Sequence, residues 1–426
     1  MNLARIALAG TTALGLSMTA AFANGNDAFL IQDGTDNSAL VTQSGSYNNA
    51  GAEATAMTQS GYINHLTILQ SGNFNNVGTS ANANGGPAGI SQTSNRSDDL
   101  AGANHISIVQ SSSLNEVGAI NQVSSGTNTH LGSNSVNITQ QSDGILSGAN
   151  RVGSVSQARG SSSGNELTVT QGGRLNNIDR ISQRTTQGGN QTNSLTVTMT
   201  GSGNGATTAL SGAAGASGAQ AAVLIQGDAA AQARGSSANL EISGTGNRFG
   251  LTQYGQGNTV GTLSVGGQFN QLGTYQEGTD NKIHVAAVNG FANNIGVSQV
   301  GVANGAYADV AGNLNGLSIE QSGVTNNADV RITGNGNGWD NTFTGAAASL
   351  GLTQSGLVAQ AGADNYASLT VIGNLNAFAF NQVGNANVIK AVQEGNMNQV
   401  AVSQVGNNNH SSVTQVGTGN NAAISQ

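Results

Sequence analysis

The chain has 426 residues, of which 63 are glycine, one is proline and none is cysteine, and only 8% are charged. The lack of cysteine excludes a disulfide framework and any metal site built on cysteine ligands. The formal net charge of −8 argues against partners that need a basic surface, namely nucleic acid and anionic lipid. Disorder usually accompanies abundant charge or proline, and both are scarce here, so we expect an ordered fold.

The first 23 residues have the features of a secretory signal peptide. Arg5 precedes an apolar run from Ile6 to Ala21, and Ala21-Phe22-Ala23 fits a cleavage site of small residues. No later run approaches the ~18 apolar residues of a membrane helix, which predicts a mature chain without a transmembrane segment. We therefore expect a signal peptide at 1–23 and one repetitive domain at 24–426.

A short motif recurs soon after the expected cleavage site. It reads Gln-x-Gly-x-x-Asn, and in the N-terminal part it begins at Gln32, Gln43, Gln59 and Gln70. The pattern is interrupted near 77–103, which contains Pro87, near 205–235, which is rich in alanine and glycine, and near 338–353. We expect these three segments to be irregular insertions in a continuous repeat.

In the C-terminal part the motif recurs every eleven residues, and the residues between motifs alternate. The motif glutamines there are Gln382, Gln393, Gln404 and Gln415, and the turn glycines that follow them are Gly384, Gly395, Gly406 and Gly417. Asn398, Val400, Val402 and Gln404 share one parity, and a period of 2 predicts a strand whose inner face carries them. Each unit is then a strand of about seven residues, followed by a tight turn in which glycine supplies a positive φ.

A single unit of one strand and one turn cannot bury its apolar face alone. We therefore expect two units to form a flat coil of about 22 residues, and the coils to stack into an all-β solenoid with cross-β geometry. Between Gln253 and Val371, units with Gln alternate with units that carry Val or Ile at the same place. This alternation predicts that the two sides of a coil carry different ladders, one of amides and one of apolar residues.

The inward amides explain how the register between stacked coils would be fixed. A buried amide without partners costs on the order of 1–3 kcal/mol, and stacking in register lets each amide bond to the same amide one coil above and below. Such ladders are a feature of cross-β assemblies. The expected ladder pairs are Gln32 and Asn37, Gln43 and Asn48, Gln59 and Asn64, Gln70 and Asn75, Gln276 and Asn281, Gln299 and Asn304, Gln321 and Asn326, Gln382 and Asn387, Gln393 and Asn398, Gln404 and Asn409, and Gln415 and Asn420.

The spacing Gln-x4-Asn-x5-Gln, with glycine two residues after the Gln, resembles the curlin repeat of curli fibre subunits. The matches extend from Gln32 to Asn420, although the chain is much longer than a typical member of that family and its middle is degenerate. The resemblance implies a secreted subunit of an extracellular amyloid fibre of a Gram-negative bacterium. The subunit would reach the cell surface by way of the periplasm. The resemblance also implies an outer-membrane secretion pore, a nucleator, other curlin-type subunits as partners, and roles in biofilm matrix and cell adhesion. Whether the chain is a major subunit or a minor, nucleating one is left open.

The repeat itself favours polymerisation. It begins within about ten residues of the expected cleavage site and continues in full pattern to Gln426, without a charged cap. An uncapped edge with ladder amides is a template for another copy. The alternative is a monomeric secreted solenoid whose outer face binds a ligand, a carbohydrate or ice, because some outer faces carry threonine, as at Thr168/Thr170 and Thr196/Thr198.

We expect no enzyme, no cofactor and no metal site. His65, His105 and His410 directly follow a motif asparagine, so they are expected to face outward, and no carboxylate occupies a matching place in those units. No arrangement of Ser, His and Asp is recognisable. Glycine-rich stretches such as 334–338 lack the strand-to-helix context of a phosphate loop.

Overall fold

The computed structural model describes residues 16–17, 25–79, 89–95, 104–125, 133–142, 149–160, 164–185, 191–339 and 341–426. The expected cleavage site and most of the expected signal peptide at 1–23 lie outside the described residues, as do Pro87 and His130. Much of the insertion expected near 77–103 also lies outside them.

Strands dominate the described residues, and the two helices are short. The strands are β1 Leu16–Ser17, β2 Asp27–Ala28, β3 Leu30–Thr35, β4 Ser38–Gln43, β5 Asn49–Ala50, β6 Met57–Tyr62, β7 Asn64–Gln70, β8 Asn76–Val77, β9 Ile90–Ser94, β10 Asn104–Gln110, β11 Glu116–Ser124, β12 Asn134–Gln141, β13 Arg151–Arg159, β14 Asn165–Gly172, β15 Asn177–Thr185, β16 Asn193–Met199, β17 Val223–Gln226, β18 Ala233–Arg234, β19 Ser237–Ile242, β20 Arg248–Gln256, β21 Thr259–Val265, β22 Gln271–Thr279, β23 Lys282–Phe291, β24 Asn294–Val302, β25 Gly305–Asn313, β26 Gly316–Val324, β27 Asn327–Thr333, β28 Leu357–Ala363, β29 Tyr366–Asn374, β30 Ala377–Asn385, β31 Val388–Asn396, β32 Gln399–Asn407, β33 His410–Thr418 and β34 Asn421–Ser425. The helices are α1 Gly212–Ala216 and α2 Gly345–Ala348.

The chain divides into two compact units. Unit 1 comprises Met1–Ala206 and Ala222–Ser236, and unit 2 comprises Thr207–Ala221 and Ser237–Gln426. In unit 1, sheet A has the order β1-β4-β7-β10-β12-β14-β16. Opposite it, sheet B joins the short strands β2, β3, β5, β6, β8 and β9 to the longer β11, β13 and β15, and it ends with the four-residue strand β17.

Unit 2 is the more regular solenoid. Its sheet C has the order β19-β21-β23-β25-β27-β29-β31-β33. Its sheet D has the order β20-β22-β24-β26-β28-β30-β32-β34. Consecutive strands therefore belong alternately to the two sheets, and every pairing is parallel. The predicted fold class, an all-β solenoid with inward amide ladders, is confirmed in each unit.

Alternation of side chains builds the core of each coil. Strand β32 alternates inward Val400, Val402 and Gln404 with outward Gln399 and Ser403, and its three inward residues are buried. Phe378 and Phe380 occupy the equivalent inward places on β30 and are fully buried. Because parallel neighbours pair residue for residue, a one-residue shift would move the amides out of the core.

The strands of unit 2 are longer than the sequence predicts, and their glycines have a second role besides the positive φ. Most span nine residues and include the motif glycine, since the chain stays extended through it. Gly384 has φ +119°, and a Cβ there would lie 1.9 Å from the carbonyl oxygen of Gly406 on the next strand. Crowding between coils therefore excludes a side chain as firmly as the positive φ does. The chain reverses at the residue before each motif asparagine, where Met397 has φ +54°.

Two of the expected insertions contain short helices that dock on the outside of sheet D. In the first, Ser211 donates through its backbone N–H to Gln271 Oε1 at 3.0 Å, and Asn294 donates through Nδ2 to Ser211 O at 2.7 Å. In the second, Thr344 donates through its backbone N–H to Gln399 Oε1 at 2.7 Å. The N-cap residues Ser211 and Thr344 have nearly identical extended backbones. The parts of these insertions that carry α1 and α2 are thus flaps held by outward amides, whereas Val223–Gln226 of the first insertion is strand β17 of sheet B.

The strand face under the flaps carries small residues. A Cβ on Gly273 would lie 2.2 Å from Ala214 O, and one on Gly296 would lie 1.9 Å from Ala213 O. Under α2 the equivalent positions are Ala379 and Ala401, which pack with Ala347. Small side chains on sheet D therefore make room for both helices.

Candidate functional site: amide ladders and end strands

Glutamine side chains form continuous ladders along the core. In unit 2, Gln382 donates through Nε2 to Gln404 Oε1 at 3.0 Å, and also to the backbone oxygen of Tyr366 at 3.1 Å. Each Gln thus bonds to the next coil and to the main chain of the facing sheet. The sheet D ladder of unit 2 consists of Gln253, Gln276, Gln299, Gln321, Gln360, Gln382, Gln404 and Gln426.

Unit 1 carries glutamine ladders on both of its sheets. The sheet B ladder consists of Gln32, Gln59, Gln92, Gln122, Gln157, Gln183 and Gln226. The sheet A ladder consists of Gln43, Gln70, Gln110, Gln140 and Gln171, and it ends on the sulfur of Met199. Sheet C of unit 2 instead carries Ile and Val as far as Val371, followed by Gln393 and Gln415, so the predicted alternation is confirmed over that stretch.

Asparagine ladders run along the corners where the chain turns. Asn376 donates through Nδ2 to Asn337 Oδ1 at 3.0 Å and to Gly395 O at 2.9 Å. Its backbone N–H also donates to Asn337 Oδ1 at 3.0 Å. One asparagine therefore ties its own turn to the coils on both sides, which explains why the motif requires this residue.

The two kinds of ladder donate in opposite directions. Every Gln-to-Gln bond described above is donated toward a later coil, as from Gln382 to Gln404. The bonds between the inward motif asparagines are donated toward an earlier coil, as from Asn387 to Asn365 and from Asn420 to Asn398. A coil at the C-terminal end of unit 2 therefore presents Gln donors and Asn acceptors, whereas one at the N-terminal end of unit 1 presents the complement.

The structure places the predicted ladder residues in the core, apart from the last asparagines. Asn409 is half-buried and Asn420 is exposed, because both lie in the last described coil. The buried residues are Gln32, Asn37, Gln43, Asn48, Gln59, Asn64, Gln70, Asn75, Gln276, Asn281, Gln299, Asn304, Gln321, Asn326, Gln382, Asn387, Gln393, Asn398, Gln404 and Gln415. Gln382, Gln393, Gln404 and Gln415, consecutive in the motif, alternate between sheets D and C. Their role in assembly stays a prediction.

Several ladder members were not among the predicted residues. Gln360 and Asn365 satisfy the complete motif and could have been found from the sequence. Gln122 and Gln157 lack the glycine two positions later, and each lies seven positions after its preceding ladder asparagine instead of six. In the sequence, only the alternation of inward and outward residues along their strands would reveal them.

Strands β33 and β34 form the outer edge of unit 2. Among the described residues, β33 pairs only with β31, and β34 only with β32. Gln415 donates through Nε2 to the Gln399 backbone oxygen at 2.8 Å, and Gln426 donates to the His410 backbone oxygen at 3.0 Å. No later coil in the described part of the chain accepts from these two amides.

One corner of unit 2, where the chain passes from sheet C to sheet D, carries exposed apolar side chains that the sequence pattern did not predict. Phe269, Leu314, Leu375 and Met397 hold a left-handed backbone with φ between +54° and +57°, and about half of each side chain is exposed. The Phe269 and Phe291 rings lie 5.7 Å apart. The opposite corner carries Asp280, Thr325, Asp364 and Asn408 at its equivalent places.

The outer faces hold few groups that could act chemically. The rings of His65 and His105 lie 6.3 Å apart on neighbouring strands, and burial, with the charge of His65, lowers the pKa of His105. No group of three or more metal-binding side chains occurs among the described residues. Thr168 pairs with Thr196 and Thr170 with Thr198. On the preceding strand Asn137 pairs with Thr168, whereas Thr139 pairs with Thr170.

No helix among the described residues has both the length and the apolar character that crossing a bilayer requires. No curated protein matches the chain significantly. Residues 384–417 match the family model of the curlin associated repeat, and this segment contains strands β31 and β32 with their ladder residues. The curlin resemblance predicted from the motif spacing is therefore confirmed for the C-terminal segment, and the fold and repeat together fit a structural subunit of the curli type.

Proposed function

We propose that the chain is a secreted structural subunit of an extracellular curli-like fibre, in which copies stack coil upon coil. The proposed fibre contributes to biofilm matrix and cell adhesion outside a Gram-negative bacterium, after export through an outer-membrane pore. The observation that carries the proposal is the complementarity of the end coils: one end has Gln donors and Asn acceptors without a partner on a later described coil, and the other has Gln acceptors and Asn donors without a partner on an earlier one. Other curlin-type subunits and a nucleator are further proposed partners.

The ladder bonds define how two copies would meet. Gln415 and Gln426 would donate to Gln32 and Gln43 of the next copy, continuing the direction of donation within each chain. Asn37 of the next copy would donate to Asn420, just as Asn420 donates to Asn398. Strand β3 of the next copy would then pair with β33, with Gly34 beside Gly417.

Glycines at the edge allow assembly to be separated from folding. Gly395 and Gly417 have nearly equal φ values of +112° and +110°, but a Cβ on Gly395 would meet Gly417 O at 2.0 Å. A Cβ on Gly417 would meet only Asn420 Nδ2, at 3.7 Å. We expect Gly395→Ala to disrupt folding of unit 2. Gly417→Ala should fold but fail to stack, because the next copy would bring a carbonyl oxygen against the new Cβ.

The test follows thioflavin T fluorescence of residues 24–426, with fibre diffraction of the product. We expect the unmodified chain to polymerise after a lag that seeds abolish, and its fibres to give reflections near 4.7 and about 10 Å. Gly417→Ala should polymerise at least about tenfold more slowly, since the clash costs more than 1.4 kcal/mol per added copy. The control Gly419→Ala, which adds a Cβ with nothing within 4 Å, should resemble the unmodified chain. Equal rates for Gly417→Ala and Gly419→Ala would refute stacking on this edge.

A further inference from the structure

The flap that carries α1 is held on sheet D by three hydrogen bonds to two neighbouring strands. Ser211 donates through its backbone N–H to Gln271 Oε1 of β22 at 3.0 Å. Ala214 donates in the same way to Asn294 Oδ1 of β24 at 2.6 Å, and Asn294 Nδ2 donates to Ser211 O at 2.7 Å. Helix α1 also contacts β26, so it covers three strands with β24 in the middle.

The flap that carries α2 repeats these three bonds at the outer edge of sheet D. Thr344 donates through its backbone N–H to Gln399 Oε1 of β32 at 2.7 Å. Ala347 donates to Asn421 Oδ1 of β34 at 2.7 Å, and Asn421 Nδ2 donates to Thr344 O at 2.6 Å. Strand β34 therefore takes the place under α2 that β24 has under α1. Because β34 pairs only with β32 among the described residues, no strand of the described chain takes the place of β26.

The exposure of equivalent residues reflects this difference between the two flaps. Asn294 is 4% exposed under α1, whereas its equivalent Asn421 is exposed. Likewise Ala213 of α1 is half-buried, whereas its equivalent Ala346 of α2 is exposed. Ala346 and Asn421 thus belong to a surface of unit 2 that one further strand beside β34 would cover.

The proposed function, on which this inference rests, determines the side chain that such a strand would present. Because Gln426 donates to Gln43 of the next copy in that assembly, β4 of the next copy lies in register beside β34. Ala423 and Leu40, each three positions before these glutamines, are then directly paired. Leu40 points outward and is 37% exposed in the single chain, so the ladders do not use it.

The first flap shows that there is room for this leucine. A cavity of about 460 Å³ lies between α1 and β26, and its lining includes Ala213 and Ser318. Ser318 lies three positions before the ladder residue Gln321, as Leu40 does before Gln43, so the two hold equivalent places in the third strand. A leucine side chain is larger than that of serine and would occupy the corresponding space beneath α2.

We propose that α2 is part of the docking surface for the next copy of the chain: the helix extends over β4 of that copy, and Leu40 packs against Ala346 and Ala423. This contact adds apolar burial on the outside of sheet D to the amide bonds within the core. Helix α1 already covers β26 and has no such role.

The chain has no cysteine, so introduced cysteines report directly on the contact. Chains of residues 24–426 with Leu40→Cys and with Ala346→Cys would be mixed in equal amounts, assembled and oxidised, and the joined peptides identified by mass spectrometry. We expect a disulfide between the two variants in fibres but not in freshly clarified chain. The control replaces the first variant with Thr170→Cys, an exposed residue on β14. It lies four strands beyond β4, or roughly 19 Å, and should form no disulfide.

A second measurement gives the strength of the contact. Leu40→Ser introduces the residue that stands in this place under α1. It should raise the concentration of chain left soluble at the end of assembly about fivefold, which corresponds to about 1 kcal/mol. Leu69→Ser is the matched control, because Leu69 is also 37% exposed but lies on β7, which is paired on both sides. It should leave that concentration unchanged.

The outcomes separate this inference from the proposed function. If the unmodified chain forms no fibres, both are overturned. If fibres form but the Leu40→Cys and Ala346→Cys chains are not joined, or if the two serine variants leave equal amounts of soluble chain, the role of α2 alone is overturned.

Discussion

Val371 and Gln393 are directly paired residues on neighbouring strands of sheet C, and they mark the point where an apolar ladder becomes an amide ladder. Gln393 donates to Gln415, but its own Oε1 is buried without a hydrogen-bond partner in the described structure. The cause is Val371, whose side chain has no N–H to donate. Gln382 on the opposite sheet accepts from Gln360 and donates to Gln404, so it is satisfied on both sides.

This difference predicts unequal costs for the same substitution. Gln382→Leu leaves both a buried donor on Gln360 and a buried acceptor on Gln404 unpaired, whereas Gln393→Leu removes an oxygen that already lacks a partner. We expect Gln382→Leu to lower the free energy of unfolding by about 1–3 kcal/mol more than Gln393→Leu. Urea denaturation of the two variants measures the difference, and equal destabilisation would contradict the ladder account.

Docking of the first flap depends on the glycines beneath it. Gly273→Ala would place a Cβ 2.2 Å from Ala214 O and 2.3 Å from Ser217 Oγ, so we expect the flap to detach while the solenoid stays folded. Hydrogen exchange should then accelerate at residues 207–221 and remain slow in the strands. Gly305→Ala is the control, since its nearest neighbour would be Asn327 at 3.7 Å. Unchanged protection of 207–221 in Gly273→Ala would show that the flap is held by other contacts.

Stability of unit 1 should depend on the protonation of His105. Burial and the charge of His65 lower its folded-state pKa below the ordinary value of about 6.5. The unfolded chain therefore binds a proton more readily, and stability should fall as the pH drops from about 6.5 toward the folded-state pKa. Denaturation of His105→Asn at pH 7.5 and 5.5 should show a smaller pH dependence than the unmodified chain. His284→Asn, in the other unit, serves as the control, and an unaltered dependence in His105→Asn would sink the assignment.

The left-handed turns offer a reciprocal pair of substitutions. Met397 and Asn408 precede ladder asparagines in consecutive turns and have φ values of +54° and +58°. Asparagine tolerates this conformation better than methionine. We expect Met397→Asn to raise the free energy of unfolding by about 0.5–1 kcal/mol and Asn408→Met to lower it by a similar amount. If thermal unfolding shifts in the same direction for both, backbone strain is not the deciding factor.

Much of the architecture follows from the sequence because ladder and core residues repeat with fixed parity. Gln404 and Asn398 are inward in the sequence pattern and in the structure, and parallel stacking leaves them no other register. The docking positions of the two helical insertions cannot be predicted in this way, because the residues that they contact lie far along the chain. Gln399 is the clearest case: its parity places it on the solvent side, yet its Oε1 accepts from the backbone of Thr344, 55 residues away.

The opposed donation of the two ladders also determines the electrostatics of the stack. A single column of aligned amides adds its dipoles from end to end, as peptide units do in a helix, and accumulates partial charges at its ends. In unit 2 the dipoles along Gln382 and Gln404 point opposite to those along Asn365 and Asn387, so their axial components oppose each other. Parallel sheets add only a small net dipole of their own. Such a stack builds a smaller field at its ends than columns of amides that all point one way, which suits a chain with only 8% charged residues to offset one.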